Sequence, residues 1–166
     1  MKKISVLFLL LLTIFALTNC EKDDICVEGD TPSLVINFFD VNNPTEAQDV
    51  PSLEVIALAL DGSVIDTIPN ASLDSIVIPL RIRENTTTYI LSQNLTASDD
   101  TMINRDTLTF NYESKEVFIS RACGFVANFD NLADDLTMDS NNWIQEIEID
   151  IPFVENSIVT HVKIFH

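Results

Sequence analysis

The chain has 166 residues, of which 26 are acidic and 9 are basic, so its formal net charge at pH 7 is −17. Loss of residues 1–19, which are interpreted below as a leader, leaves 7 basic residues and a charge of −19. Such a field repels nucleic acid and anionic lipid, which excludes a sequence-independent phosphate-binding role and nucleic acid as a partner. We attribute the acidity to the solubility of an exposed protein.

The first 19 residues have the layout of a secretory signal. Met1-Lys2-Lys3 is a positively charged start, and residues 4–17 are apolar except for Ser5 and Thr13. A membrane-spanning helix needs roughly 18 or more apolar residues, and this run stops short of that length. We therefore predict a cleaved signal peptide over residues 1–19. An ordinary secretory signal cleaved nearby is the alternative.

Residues 17–20, Leu-Thr-Asn-Cys, resemble the lipobox of bacterial lipoproteins, in which the cysteine becomes the lipidated N-terminus. The resemblance implies that Cys20 carries the acyl chains, and two or more chains suffice for stable membrane attachment. Lys22, Asp23 and Asp24 look like the signal that sends lipoproteins of Bacteroidota-type bacteria to the outer cell surface. The periplasmic face of the outer membrane is the alternative location, because any tether beside a membrane tends to be charged.

Two cysteines remain once Cys20 is assigned to lipid, and they lie in an oxidising compartment. Cys26 and Cys123 are therefore expected to form a disulfide. It would close a loop of roughly 100 residues, which the chain-entropy model equates with about 4–5 kcal/mol. Two unpaired buried thiols are the alternative. No second Cys or His stands at ligand spacing from either residue, so no zinc site is expected.

Short apolar stretches separated by turn residues predict strands in the first half of the domain. Asp61-Gly62 is a tight hairpin signal, and Pro69-Asn70 is expected to end the strand that follows it. The turn-forming stretch 40–44 is expected to be a loop. The strands are predicted over residues 33–39, 53–60, 64–68, 75–80 and 87–93.

The second half has the clearest alternation in the chain, where Leu108, Phe110 and Tyr112 alternate with polar residues. Residues 106–121 are predicted to be a hairpin that turns at Ser114-Lys115. Residues 128–142 are expected to form a short helix or a loop. Two further strands are predicted over residues 143–151 and 157–165.

Eight to ten short strands, with turn signals every 8–15 residues or so, predict an all-β fold. We expect an antiparallel β-sandwich, Ig-like or transthyretin-like, because long polar loops alternate with paired turns. A lipocalin-like β-barrel is the alternative, although it would show more uniform hairpins. The predicted organisation is a lipidated acidic tether over residues 20–32 and a single β domain over residues 33–166.

The sequence contains no recognisable catalytic constellation. His161 and His166 are five residues apart on the last predicted strand, which places them on opposite faces. A solvent-facing or edge position is expected for His161 rather than a catalytic role. The acidic stretch 130–139 lacks the spacing of a calcium loop, so we favour a solvated loop over a calcium site. The chain is predicted to be non-enzymatic, without cofactor or metal.

Four tripeptides match the Asp-Ser/Thr-apolar signal for O-glycosylation of exported Bacteroidota-type proteins. An acid followed by a β-forming residue is also a common way to begin a strand, so each match is a weak signal. The candidate acceptors are Thr67, Ser75, Thr101 and Thr107.

The aromatic residues Trp143 and Phe125 could form an exposed platform for a sugar. Such a platform would use the apolar faces of the rings against a glycan. The alternative is that the single tryptophan, at the start of a predicted strand, belongs to the core. An exposed aromatic patch around these two residues would favour a carbohydrate- or nutrient-binding accessory protein.

A resemblance that covers most of the predicted domain rests on a set of short stretches. These are Cys20-Glu21-Lys22-Asp23-Asp24, Cys26, Leu34-Val35-Ile36, Pro79-Leu80, residues 120–125, residues 142–144 and residues 161–166. Together they resemble a family of small, uncharacterised lipoproteins of Bacteroidota-type bacteria. The resemblance implies a single lipid-anchored domain with no assigned activity. We expect a non-enzymatic binding or assembly component at the outer membrane surface, with the membrane as one partner and an envelope protein or glycan as another.

Overall fold

A computed structural model describes residues 26, 29–95 and 103–166 of the chain, and these form two facing five-stranded sheets. No helix in the described ranges is long and apolar enough to cross a membrane. The ten strands are β1 (Leu34–Asp40), β2 (Asn43–Ala47), β3 (Val50–Leu58), β4 (Val64–Leu73), β5 (Ser75–Ile78), β6 (Thr86–Gln93), β7 (Asn104–Ser120), β8 (Gly124–Leu136), β9 (Glu146–Ile149) and β10 (Val162–Phe165).

The first sheet is built around β1 and joins the two ends of the domain. β1 pairs with β10 in parallel, with Ile36 opposite Val162. The other edge of β1 pairs antiparallel with β5 and then with β2, and β9 lies outside β10. The parallel pair is possible because β1 and β10 lie far apart in sequence and are joined by the whole second sheet.

The second sheet is entirely antiparallel, in the order β4-β3-β6-β7-β8. β7 has 17 residues, but only its first half, from Asn104 to Asn111, pairs with β6. The remainder pairs with β8 alone and extends beyond the end of β6. The structure is therefore a β-sandwich with one long projecting hairpin, and the lipocalin-like barrel is not formed.

The core lies between the sheets and follows the alternation that the sequence displays. Leu108, Phe110 and Tyr112 of β7 point inward and are buried, as the period of two predicts. They belong to one cluster with Leu34 and Phe38 of β1. Each large side chain removed from water in this cluster contributes about 1.5–3 kcal/mol, so the facing pair of sheets is the main source of stability.

The strand predictions are wrong where a strand lies at a sheet edge or contains a bulge, because proline does not end a strand at such positions. β4 continues through Pro69 instead of ending there, because β4 is an edge strand and its outward N–H groups need no partner. The pairing of β3 with β4 shifts register beside Pro69. Residues 43–47 form the exposed edge strand β2, although Pro44 predicted a loop.

The predicted turn at Ser114-Lys115 is wrong, because β7 runs straight through it and turns at residues 121–123. The predicted helix or loop over residues 128–142 is also wrong, since β8 occupies most of that stretch. Asn131 has a φ of 55°, and the buried residues Phe129 and Leu132 stand three apart around it. This bulge breaks the strict alternation and hides the strand in the sequence.

The segment before β1 packs on the domain, although residues 20–32 were predicted to be a tether. Pro32 is buried, and the Thr31 hydroxyl accepts a hydrogen bond from the Ala127 N–H at 3.3 Å. Cys26 is bonded to Cys123 in the turn between β7 and β8. Cys26 and Thr31, both within the predicted tether, therefore contact the sandwich directly. The leader, Cys20 and residues 22–24 lie outside the described residues.

Candidate functional site

A cavity of about 160 Å³ opens at one end of the sandwich, between the β3–β4 edge and the segment that follows β5. Its walls are apolar, and they include Val55 and Ala57 of β3 and Ile65 and Ile68 of β4, with Leu80 opposite. A cavity of roughly 150 Å³ with such a lining holds one benzene-sized group. The cavity can therefore accept one aromatic ring or branched aliphatic group.

The floor of the cavity is fixed by buried hydroxyl groups. The Tyr89 hydroxyl donates to the Pro79 carbonyl, and burial raises the pKa of Tyr89 well above its ordinary value of 10.0. The Thr87 and Tyr112 hydroxyls are 2.5 Å apart, and the Arg81 N–H lies within hydrogen-bond distance of both. The Tyr112 hydroxyl donates in turn to the Arg81 carbonyl at 2.9 Å. These bonds hold residues 79–81 rigidly across the cavity.

The rim of the cavity carries one charge of each sign. Asp66 is exposed on β4, and the Arg81 guanidinium lies 3.7 Å from the Glu84 carboxylate in a partly exposed ion pair. Arg81 also borders a second cavity of about 230 Å³ next to the β3–β4 turn. The arrangement can orient a ligand with an apolar body and a polar end.

The structure corrects the predicted position of His161. The ring is buried, and its Nδ1 accepts a hydrogen bond from the Val35 N–H at 3.2 Å. This bond places the proton on Nε2, and burial lowers the pKa of the imidazole below 6.5. The solvent-facing or edge position was wrong because the residues after β9 fold the ring beneath β1. His166 lies apart from it, against Phe38 and Trp143.

Asp106 is a buried carboxylate, although the sequence presented it only as part of a glycosylation signal. Its Oδ2 accepts a hydrogen bond from the Ile144 N–H at 2.8 Å. Burial raises the pKa of the carboxyl group, and hydrogen bonds from Ile144, Asn142 and Trp143 oppose that rise. Asp106 therefore fastens the segment between β8 and β9 to the sandwich. Its inward position on β7 follows from the alternation of Leu108 and Phe110.

The predicted aromatic platform does not form. Trp143 is buried in the core, where its Nε1 donates to the Leu91 carbonyl at 3.1 Å. Phe125 is exposed on β8, but its partner is Phe118 on β7, with ring centroids 5.3 Å apart. The core alternative was the right one for Trp143, since its indole N–H finds a buried carbonyl.

The candidate glycosylation residues occupy different surroundings. Thr67 and Ser75 are exposed on β4 and β5, whereas Thr107 is half-buried on β7. The Asp66 carboxylate accepts from the Thr67 N–H at 2.8 Å, as expected for a local side-chain turn. Thr101 lies outside the described residues. The structure brings none of these side chains together into a site.

The acidic stretch 130–139 has no geometry for a cation in the described part of the chain. Asp130 pairs with Lys115 at 2.5 Å, and the aspartates that follow lie on or just after β8. Within residues 26, 29–95 and 103–166, no cluster of three His, Cys, Asp or Glu side chains could hold a metal ion.

Cys26 and Cys123 form a disulfide with Cα atoms 4.9 Å apart, in agreement with the pairing predicted from the cysteine count. Gly29 packs directly against this bond, because a Cβ atom there would collide with Cys26 Sγ and lie 3.0 Å from Cys123 Sγ. This role of Gly29 was not predicted from the sequence. The only sequence signal is its spacing of three residues from Cys26.

A β-sandwich with an apolar cavity and a disulfide-fastened N-terminal segment defines the class of this protein. The chain belongs to a family of unknown function, DUF6452, which matches residues 52–166. The match begins inside β3 and includes the cavity, Cys123 and the hairpin that carries it. No curated protein and no solved structure matches the chain.

Proposed function

We propose that this protein is a lipid-anchored lipoprotein of the cell envelope and that it serves as a non-enzymatic binding or assembly component. The observation that carries the proposal is the disulfide between Cys26 and Cys123. Such bonds persist in exported proteins and are rare in the cytosol, which agrees with a predicted leader over residues 1–19, immediately before Cys20.

Lipid attachment at Cys20 is tested by metabolic labelling of the whole chain with a palmitate analogue. We expect the wild type and the Cys123→Ala variant to be labelled and the Cys20→Ala variant to be unlabelled. The Cys123→Ala variant is the matched control, because it also removes one thiol. Equal labelling of Cys20→Ala and wild type would reject the lipoprotein assignment.

The surface location rests on Lys22, Asp23 and Asp24, which follow the lipidated position and resemble the Bacteroidota-type export signal. Replacement of all three by alanine should leave palmitate labelling unchanged while protecting the protein from protease added to intact cells. Protection of the wild-type protein would instead favour the periplasmic face of the outer membrane.

The cavity supports a second candidate function, that of a nutrient-binding accessory lipoprotein. Its apolar walls and its volume of about 160 Å³ favour an apolar group over a sugar ring, and the burial of Trp143 removes the predicted glycan platform. Indole, an uncharged ring probe, should raise the thermal midpoint of the wild type. The cavity-filling variant Ala57→Leu should show no such rise in thermal midpoint. An equal rise in the wild type and the variant would show that indole binds outside this cavity.

A further inference from the structure

The turn between β7 and β8 presents an exposed aromatic pair. Phe118 and Phe125 face each other across the two strands, with side chains 56% and 65% exposed. The rings stack edge to face at 5.3 Å, so they present one joint apolar surface rather than two scattered residues. Ile119, next to them, is also exposed. Apolar patches of this kind mark contacts with proteins or membranes.

The same hairpin tip lacks the negative charge that dominates the rest of the chain. Residues 117–129 contain no Asp or Glu and one basic residue, Arg121, although the chain as a whole has 26 acids. Acidic residues return on both sides, at Glu116 and Asp130. This end of the hairpin can therefore approach a lipid surface without the repulsion that the other surfaces would meet.

The covalent connections place the hairpin tip beside the proposed anchor. Cys20 lies six residues before Cys26, and a chain of that length spans at most about 20 Å when fully extended. Cys26 is bonded to Cys123 in the turn itself, with 4.9 Å between the Cα atoms. Of all parts of the described domain, the turn that carries the aromatic pair is thus the one tied most directly to the lipidated residue.

A second exposed apolar loop lies at the same end of the domain. Ile158 is 90% exposed, and the neighbouring Ser157 hydroxyl accepts a hydrogen bond from the Ser33 N–H at 2.8 Å. Thr31, two residues earlier, contacts Ala127 of the hairpin. The three residues that lead into β1 therefore connect the loop with the hairpin, and both are on the side from which the tether leaves.

We propose that this apolar end, formed by Phe118, Ile119, Phe125 and Ile158, rests on the lipid bilayer into which the acyl chains of Cys20 insert. The inference depends on the proposed lipid anchor and adds an orientation to it. Aromatic rings are favoured at the boundary between headgroups and acyl chains, where an apolar face can lie about 5–10 Å deep. The cation-poor tip implies binding to neutral lipid with little dependence on salt.

The experiment uses the single native tryptophan as a built-in reference. Trp143 is buried, so the lipidated full-length wild type should keep its emission on phosphatidylcholine vesicles with brominated acyl chains. Phe125→Trp and, separately, Ile158→Trp place a second indole at the proposed contact. We expect roughly a twofold loss of the added emission for each, since a ring at the acyl boundary lies within reach of the bromine atoms.

The matched control is Met138→Trp, whose position is 77% exposed and lies just beyond the opposite end of β8. Its emission should be unaffected by the brominated lipid. Flotation of every variant with the vesicles reports the anchor separately from the orientation. Flotation without quenching at positions 125 and 158 would overturn the docking proposal alone.

Absence of flotation would overturn both the docking proposal and the anchor on which it rests. Equal quenching of Met138→Trp would also overturn the proposed orientation. A blue shift of the Phe125→Trp emission without quenching would indicate that the tip contacts protein instead of lipid, which contradicts the proposal. Because Ile158 is almost fully exposed, its variant keeps the test valid if the hairpin tolerates substitution poorly.

Discussion

Two segments that run outside the sheets are fastened to the β7–β8 pair, one at each end and by different chemistry. At the turn, the segment before β1 is held by the disulfide between Cys26 and Cys123. At the other end, the segment before β9 is held by the buried Asp106 carboxylate, which accepts from the Ile144 N–H. The first attachment is covalent and responds to reductant, whereas the second depends on a titratable group. Four of the five predictions that follow test this difference.

The largest effect is expected from removal of the disulfide. Cys26→Ser combined with Cys123→Ser should lower the free energy of unfolding by about 4–5 kcal/mol, because a bond across 97 residues restricts the unfolded chain strongly. Urea denaturation of wild type and variant measures this change. Reductant should reproduce the loss in the wild type and have no effect on the variant. Equal urea midpoints would show that the segment before β1 is held by noncovalent contacts.

A smaller loss is expected when the other attachment is removed. Asp106→Ala should cost about 1–3 kcal/mol at pH 7, since the buried Ile144 N–H loses its acceptor. Asp135→Ala, which removes an exposed acid from β8, is the matched control and should be nearly neutral. If both variants lost the same free energy of unfolding, the loss would come from the removed charge and not from the hydrogen bond to Ile144.

Asp106→Asn tests the titration of the same group. The folded-state pKa of Asp106 is raised by burial, so the folded protein binds a proton more readily than the unfolded chain. This contribution to stability is gained as the pH falls through the folded pKa towards 3.8 and is lost as the pH rises again. Asp106→Asn should remove this slope while keeping a side-chain acceptor. A slope identical to that of the wild type would contradict the assignment.

Gly29→Ala should act only through the disulfide that it touches. The added methyl group would collide with Cys26 Sγ, so we expect a loss of about 1–2 kcal/mol in the wild-type background. The same substitution combined with the two serine replacements should be close to neutral, which a double-mutant cycle measures. Additive losses would show that Gly29 is needed for another reason.

The smallest effect is expected from His161. Burial lowers its folded pKa, so between that value and 6.5 the unfolded chain binds the proton more readily. The stability that neutral His161 contributes is therefore complete above pH 6.5 and falls as the pH drops towards the folded pKa. His161→Asn should show a shallower loss of thermal midpoint below pH 6.5 than the wild type does. A slope of the His161→Asn variant identical to that of the wild type would contradict this role of the buried ring.

The parts of the fold that could be predicted are those where one residue faces the core and the next faces water. Leu108, Phe110 and Tyr112 show this alternation, and the sequence therefore located the centre of β7. Asp61-Gly62 located the β3–β4 turn, where Gly62 has a φ of 81°. In both places, the structure that the local sequence favours is the one that the whole fold requires.

The rest depended on contacts between residues that are distant in sequence. The bulge at Asn131 interrupts the alternation of buried and exposed residues, so β8 was not predicted. β4 tolerates Pro69 because it is an edge strand, so the predicted end of the strand was wrong. The cavity and the burial of His161 depend on which strands become neighbours across the sandwich, and no local pattern specifies that. The disulfide was predictable because the expected assignment of Cys20 to lipid left two cysteines and therefore one pairing to consider.

The parallel pairing of β1 with β10 has a consequence for how this protein is made. β1 is among the first parts of the domain to be synthesised, but one of the three strands that pair with it is β10, near the other end of the chain. During synthesis the edge of β1 that pairs with β10 stays unpaired until β10 has been made. The antiparallel strands β6, β7 and β8 can pair earlier. For the exported lipoprotein proposed above, this order of synthesis keeps the first sheet incomplete until β10 has been made.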